Sequence, residues 1–205
     1  MKLYAFPPSP NTFKVLAVAN HLRLPLTVEL VDLTKGEQRA PTYTALCPGS
    51  RTPTLVDGEF VLWESNAILQ YIASKSKNEL WPDDARTRAD IARWQFWQVA
   101  HWHQGCGPYL FENLVKDVMK MGPPDAQALE KAEPVFRKEA ALLDGHLARR
   151  SWLVGSGPTL ADFAVGAYLF YAERARLPLS GYANVHRWFE AVAALPSWKG
   201  AAPGV

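Results

Sequence analysis

The first third of the chain alternates short apolar runs with one stretch of helical periodicity. Residues 2–6 and 26–31 are mostly apolar and predict β-strands, and the second of these is expected to be buried on both faces. Residues 12–22 between them place apolar side chains three and four positions apart, which predicts a helix. Two strands joined through a helix form a βαβ unit, whose strands are expected to run parallel.

Residues 51–69 change period twice and predict a strand, a turn, a second strand and a helix. Asp57-Gly58 separates the two strand-like runs and predicts a type I′ hairpin turn, in which both central residues have positive φ. The spacing then becomes helical, so Glu64-Ser65-Asn66 are expected to begin a helix, with Ser and Asn as capping residues. The first N–H groups of a helix lack backbone partners and can receive a carboxylate or a phosphate.

Strand-like patterns stop in the second half of the chain, and long helical periods replace them. Residues 85–103 and 125–150 predict long helices, and a Gly- and Pro-rich run at 105–108 is expected to interrupt the chain between them. Thr159 and Asp162 have the spacing of a capping box and precede an apolar run. The second half is therefore expected to be all-helical.

These patterns divide the chain into an α/β domain over residues 1–75, a polar linker over 76–84 and an all-helical domain over 85–205. The predicted element order of the first domain is β-α-β-α-β-β-α. Periodicity alone supports a small α/β domain followed by a helical bundle, without a more specific fold name.

Composition and charge narrow the function classes. The chain has 205 residues, 48% of them hydrophobic, and a net charge of +2, so we expect a globular protein with no nucleic-acid or membrane partner. Cys47 and Cys106 form neither a Cys-x-x-Cys motif nor a set of metal ligands, so we expect no metal site. The proline-broken start is too short for a signal peptide, and a reducing cytoplasm is the expected location.

The motif Thr52-Pro53-x-Leu, followed by a Gly turn and Glu64-Ser65-x-Ala-Ile, resembles the glutathione-binding motif of the cytosolic glutathione transferases. The resemblance covers nearly the whole chain and implies a thioredoxin-like first domain followed by a helical bundle. It also implies a homodimer that uses glutathione as co-substrate for detoxification. In that family the proline is cis, the backbone of the residue at Thr52 pairs with the cysteinyl part of glutathione, and the residues at Glu64 and Ser65 hold its γ-glutamyl end.

Glutathione chemistry requires a thiolate, because the thiolate is the nucleophile. Lowering a thiol pKa from about 8.5 to about 6.5 takes roughly 2.7 kcal/mol, which one hydroxyl donor and a helix N-terminus can supply together. Ser9 lies where phi-class relatives carry their active serine, and Asn11 and Lys14 match the bacterial nu class. We expect Ser9 to be the hydrogen-bond donor to the thiolate and Asn11 to be the second donor. The alternatives are that both only cap the first helix, or that Tyr4, which we expect to pack, is the donor.

The remaining candidate residues bind the ends of the two substrates. The resemblance implies that Arg39, which lies where phi-like relatives carry a Lys, and Arg51 contact the glycine carboxylate of glutathione; the alternative is that either is a surface charge. The resemblance puts Trp102, His103 and Tyr109 near the site of a small hydrophobic electrophile. The alternative is that these rings are core residues, as aromatic residues at helical spacing usually are.

Three functions are compatible with these residues. The first is a glutathione S-transferase that conjugates glutathione to small hydrophobic electrophiles. The second is a glutathione-dependent disulfide or peroxide reductase on the same fold, and the third is a non-catalytic binding module. Intact Glu64 and Ser65 argue against the third.

Overall fold

A computed structural model describes residues 1–202. Its contacts divide the chain into two units, Met1–Asp83 together with the segment from Ala194, and Asp84–Ala193. Within the described range, none of the helices combines the length and the apolar character that a membrane crossing requires.

The first unit is a mixed four-stranded sheet with helices, in the order predicted from the sequence. Strands β1 and β2 are parallel, and β3 runs antiparallel to both β1 and β4, in the sheet order β2-β1-β3-β4. The strands are β1 (Lys2–Ala5), β2 (Thr27–Leu30), β3 (Thr54–Asp57) and β4 (Phe60–Trp63), and the helices are α1 (Pro10–His21), α2 (Pro41–Thr44) and α3 (Ser65–Ala73). This arrangement confirms the predicted thioredoxin-like domain.

The prediction that the second strand is buried on both faces is wrong. β2 is an edge strand, and its apolar side chains Val28 and Leu30 are 42% and 62% exposed. An apolar run is compatible with burial but does not reveal whether a strand has one neighbour or two.

The hairpin is present, but the predicted turn type is wrong. Asp57 pairs directly with Phe60, so the central residues of the turn are Gly58 and Glu59 rather than Asp57 and Gly58. Of these two, only Gly58 has a positive φ, at 63°. A glycine with positive φ at the first central position is the requirement of a type II′ turn.

The last described segment, α10 (Pro196–Lys199), packs on α1. The Trp198 ring meets the Phe13 ring edge to face, with centroids 4.6 Å apart. This contact joins α10 to the first unit, whereas the sequence analysis placed its residues in the helical domain. The helical period of the segment carries no information about which core its aromatic ring joins.

The second unit is all-helical, which confirms the predicted fold class. Its helices are α4 (Ala85–Trp97), α5 (His103–Leu110), α6 (Lys116–Val118), α7 (Ala126–Leu147), α8 (Leu160–Gly166) and α9 (Ala183–Ala194). Wider π-helical turns at Gln98–Trp102 and Phe111–Val115 join α4, α5 and α6 into one continuous path.

The Gly- and Pro-rich run at 105–108 does not interrupt this path, contrary to the prediction. Gly105 and Pro108 both lie inside α5. A Cβ at Gly105 would lie 2.8 Å from the Cα of Phe136 in α7, so the glycine allows the two helices to approach closely. A glycine inside a helical pattern can serve packing rather than chain breaking.

The predicted capping box at the start of α8 is confirmed. Asp162 is fully buried and accepts hydrogen bonds from the backbone N–H groups of Thr159 at 2.8 Å and Leu153 at 3.0 Å. It also accepts one from the indole N–H of Trp188 at 2.8 Å. Burial raises the pKa of the Asp162 carboxyl above its usual value, and these donors act in the opposite direction.

Candidate active site

A cavity of about 330 Å³ lies in the first unit, beside the N-termini of α1 and α3. Most of the residues predicted to bind glutathione line it, namely Asn11, Arg51, Thr52, Pro53, Glu64 and Ser65. Ser9 and Arg39 are not among its lining residues. The structure therefore brings together residues that are more than fifty positions apart in the sequence.

The start of α3 forms one wall of this cavity and is ready to receive an anion. Its N-cap is Glu64, which has a φ of 70° and makes no side-chain capping hydrogen bond. The sequence predicted Ser and Asn as capping residues, and the structure instead places Ser65 at the first helical position. A non-glycine residue held at positive φ is often found at functional sites. The first turn of a helix is a favourable place for a carboxylate.

The start of α1 is the second wall. Ser9 is the N-cap, and its hydroxyl makes no capping hydrogen bond, so the alternative that this hydroxyl caps the helix does not apply. Asn11 lies inside the helix, which begins at Pro10 rather than at residue 12 as predicted. The Ser65 hydroxyl donates to Asn11 Oδ1 at 3.2 Å. This bond links the two helix starts and leaves the Nδ2 group of Asn11 as its donor at the cavity.

The Thr52-Pro53 peptide bond is cis, as the resemblance implied. The loop that contains it is held by Tyr43, whose buried hydroxyl donates to the Arg51 carbonyl at 2.6 Å and lies 2.9 Å from Thr54 Oγ1. Sequence reasoning missed this role of Tyr43, because an aromatic residue in a short polar helix does not indicate its partner. Tyr4 packs against the Tyr43 ring, with centroids 6.3 Å apart, in line with its predicted packing role.

The two candidate arginines lie in different places. Arg51 is exposed and lines the cavity, whereas Arg39 is exposed in the 3₁₀ turn Glu37–Arg39. Pro48, Trp63 and Cys47 also line the cavity, and the sequence did not predict them as lining residues. Cys47 is 2% exposed and lines the cavity. Its position four residues before Arg51 is the signal in the sequence that could have placed it at the cavity.

A lysine is buried behind the wall formed by α3. Lys14 is fully buried, and its Nζ donates to Asn66 Oδ1 at 2.7 Å. Burial lowers the pKa of the Lys14 ammonium from 10.5 to about 7, and the negative charge of Glu64 offsets part of this effect. The sequence showed Lys14 only as part of a motif match, since a helical lysine is normally exposed.

The candidate residues for the second substrate lie in the second unit. Trp102 and Tyr109 are buried and pack on Phe136, with ring centroids 5.4 and 5.8 Å from it. His103 is exposed and lines an open cavity of about 590 Å³ together with Gly107, Pro108 and Phe111. The two buried rings therefore occupy the packing positions that the core alternative describes.

Two family models match the chain. The N-terminal domain of glutathione S-transferases matches residues 1–74, and the C-terminal domain matches residues 108–196. The chain is 38% identical over 206 residues to glutathione S-transferase 3 of Zea mays, covering 97% of this chain and 91% of that protein. It is 31% identical over 203 residues to glutathione S-transferase D7 of Drosophila melanogaster, covering 97% and 87%.

The fold gives the same result. The solved structure of glutathione S-transferase III in its apo form aligns with a TM-score of 0.85 at 35% identity, covering 98% of this chain and 94% of that one. The similarity to plant enzymes supports the phi-like resemblance, while Ser9 as the active residue and the likeness to the bacterial nu class stay predictions. From the matched domains, the relatives and the shared fold together, the chain belongs to the glutathione S-transferase family.

Proposed function

We propose that this enzyme binds glutathione in the cavity between the starts of α1 and α3, activates its thiol there and conjugates it to small hydrophobic electrophiles. The observation that carries the proposal is the gathering of Asn11, Arg51, Glu64 and Ser65 around one cavity of about 330 Å³. We further propose that the enzyme acts in the cytoplasm, in detoxification, as a homodimer and without a metal.

The γ-glutamyl carboxylate of glutathione belongs at the first turn of α3. The N–H groups of that turn and the Ser65 hydroxyl, which turns from Asn11 Oδ1 to the ligand, supply charge-assisted hydrogen bonds, and the helix dipole favours a negative charge. The backbone of Thr52 pairs with the cysteinyl residue. Arg51, exposed at the cavity, is the cation for the glycine carboxylate, and Arg39 is the more remote candidate.

The thiol is activated by donors at the start of α1. Asn11 Nδ2 and the Ser9 hydroxyl, which does not cap the helix, can each donate a hydrogen bond to the sulfur of glutathione. Such a bond stabilises the thiolate more than the thiol and therefore lowers the thiol pKa. The partial positive charge of the helix N-terminus acts in the same direction. Because Asn11 lines the cavity, we propose it as the principal donor and Ser9 as the second.

The electrophile is proposed to bind to the second unit at the open cavity beside His103. The exposed side chain of Phe111 and the ring of Pro108 give this cavity an apolar wall. Trp102 and Tyr109 pack on Phe136 in the core of the same unit and do not line this cavity. Small apolar molecules with a leaving group or an activated double bond fit this description.

The two alternatives are not favoured. Relatives that match nearly the whole chain carry transferase names, and none of the residues of the glutathione motif is replaced. A disulfide or peroxide reductase would share the same glutathione cavity. The two activities therefore differ in the second substrate, which an assay can resolve.

The proposal is tested by supplying glutathione with an aryl halide, a mixed disulfide or an organic peroxide in parallel assays. We expect conjugation to the aryl halide to exceed turnover of the other two. Ser65→Ala should weaken glutathione binding by about 1–3 kcal/mol in calorimetry, because charge-assisted hydrogen bonds are lost. Ser74→Ala, at the opposite end of α3, is the matched control and should leave the affinity unchanged. Turnover of the disulfide or peroxide alone would contradict the proposal.

A further inference from the structure

The buried Lys14 has no evident benefit for the stability of the fold. Moving an ammonium group out of water costs free energy, and a buried pair is often no more stabilising than apolar side chains of the same size. The lowered pKa of Lys14, about 7, reflects this cost. A lysine in this place is therefore better explained by what it does for the cavity.

The geometry connects Lys14 to the proposed carboxylate site through one side chain. Lys14 lies one helical turn after Asn11 on α1, and α1 packs along α3. Its Nζ is 2.7 Å from Oδ1 of Asn66, the second residue of α3. Asn66 directly follows Ser65, which lines the cavity and bonds to Asn11.

We propose that Lys14 is a positioning residue for glutathione: its buried ammonium holds Asn66 and thereby the first turn of α3, and it places a positive charge behind the γ-glutamyl carboxylate. The inference deepens the proposed function and rests on it. Lys14 does not touch the substrate, because it is fully buried and is not among the residues that line the cavity.

The charge of Lys14 gives substrate binding a pH dependence. On α3, Glu64 is the charged group that acts on it, and Tyr71 is already bonded to Asp57. On α10, Lys199 is exposed, and His21 is seven residues further along α1. An anionic ligand favours the ammonium over the neutral amine, so binding takes up a proton above the pKa of Lys14. The affinity should therefore fall as the pH rises through about 7.

Three proteins test this inference: the wild type, Lys14→Met and Lys14→Arg. The probe is S-methylglutathione, whose sulfur has no proton to lose, and the measurement is titration calorimetry from pH 6.5 to 8.5 in buffers of different ionisation enthalpy. Thermal unfolding of each variant is recorded alongside. Lys14→Met removes the cost of a buried charge but also the donor to Asn66 Oδ1, so the unfolding curve establishes that this variant is folded before its affinity is compared.

For the wild type we expect the affinity to fall about fivefold across this pH range, with proton uptake on binding near pH 7.5. Lys14→Met should bind about tenfold more weakly at pH 6.5 and show no pH dependence, as for a lost buried charge. Lys14→Arg should bind tightly at every pH, because a guanidinium stays protonated. Any pH dependence that remains in Lys14→Arg measures the titration of the ligand's own amino group.

The possible results distinguish a failure of the proposed function from a failure of the role proposed for Lys14. A wild type that fails to bind S-methylglutathione at any pH overturns the proposed function itself. Wild-type binding that is tight and independent of pH, or a Lys14→Met variant that binds like the wild type, overturns the role of Lys14 alone. If Lys14→Met does not fold, the comparison of wild type with Lys14→Arg decides the question.

Discussion

At the scale of single residues, the loop around the cis peptide bond depends on the hydroxyl of Tyr43. This hydroxyl bonds to the Arg51 carbonyl and pairs with the buried Thr54 hydroxyl. Tyr43→Phe leaves both oxygens without this partner while it keeps the ring in place. An unsatisfied buried polar group costs about 1–3 kcal/mol.

We therefore expect Tyr43→Phe to lower the free energy of unfolding by about 1–3 kcal/mol in urea and to weaken glutathione binding. The matched control is Tyr182→Phe, whose hydroxyl makes an exposed bond to the Arg137 carbonyl and should change stability by less than about 0.5 kcal/mol. Equal stability of the two variants would contradict the role given to Tyr43.

The sequence predicted the residues of the cavity wall better than the residues that hold the wall. Thr52, Glu64 and Ser65 were found because they belong to one motif of residues that are close together in the sequence. Tyr43 and Lys14 act through partners 11 and 52 positions away, respectively, and no local pattern encodes such contacts. The burial of Lys14 even reverses the usual expectation for its residue type.

At the scale of elements, α8 depends on the carboxylate of Asp162. Replacing it by Ala would leave the N–H groups of Leu153, Thr159 and Trp188 without their acceptor inside the core. We expect Asp162→Ala to destabilise the protein by about 3 kcal/mol or more in denaturant unfolding. Asp90→Ala removes an exposed pair with Arg93 and should cost less than about 1 kcal/mol. A small effect for Asp162→Ala would show that water replaces the carboxylate.

At the scale of elements, periodicity predicted most helices and strands correctly, but it did not predict which neighbours each of them packs against. The capping box of α8 was visible because both partners lie within three residues. The exposure of β2 and the continuity of α5 through Gly105 depend on neighbours that only the tertiary structure supplies. The boundary of α1 shifted to Pro10 because proline suits the first helical position.

At the scale of the whole molecule, the predicted homodimer can be tested on the two edges of the sheet. Phe60 on edge strand β4 is 47% exposed, and Leu30 on the opposite edge strand β2 is 62% exposed. The homodimer is an expectation from the family resemblance, and we expect the exposed apolar side chain of Phe60 to lie in its interface. Phe60→Glu should then shift the mass measured by light scattering from twice 22.8 kDa towards 22.8 kDa. Leu30→Glu is the control and should remain a dimer; a monomeric wild type would contradict the prediction.

We expect the start of α1 to lower the thiol pKa of bound glutathione, and the ultraviolet thiolate absorbance of the complex against pH measures this pKa. For the wild type we expect a thiol pKa one to two units below the free value of about 8.5. Asn11→Ala should raise it by about one to two units, Ser9→Ala by less, at about 1.4 kcal/mol per unit. A bound thiol that titrates like free glutathione would show that the start of α1 does not activate it. Titration curves that neither Asn11→Ala nor Ser9→Ala shifts would show that these two side chains are not the donors.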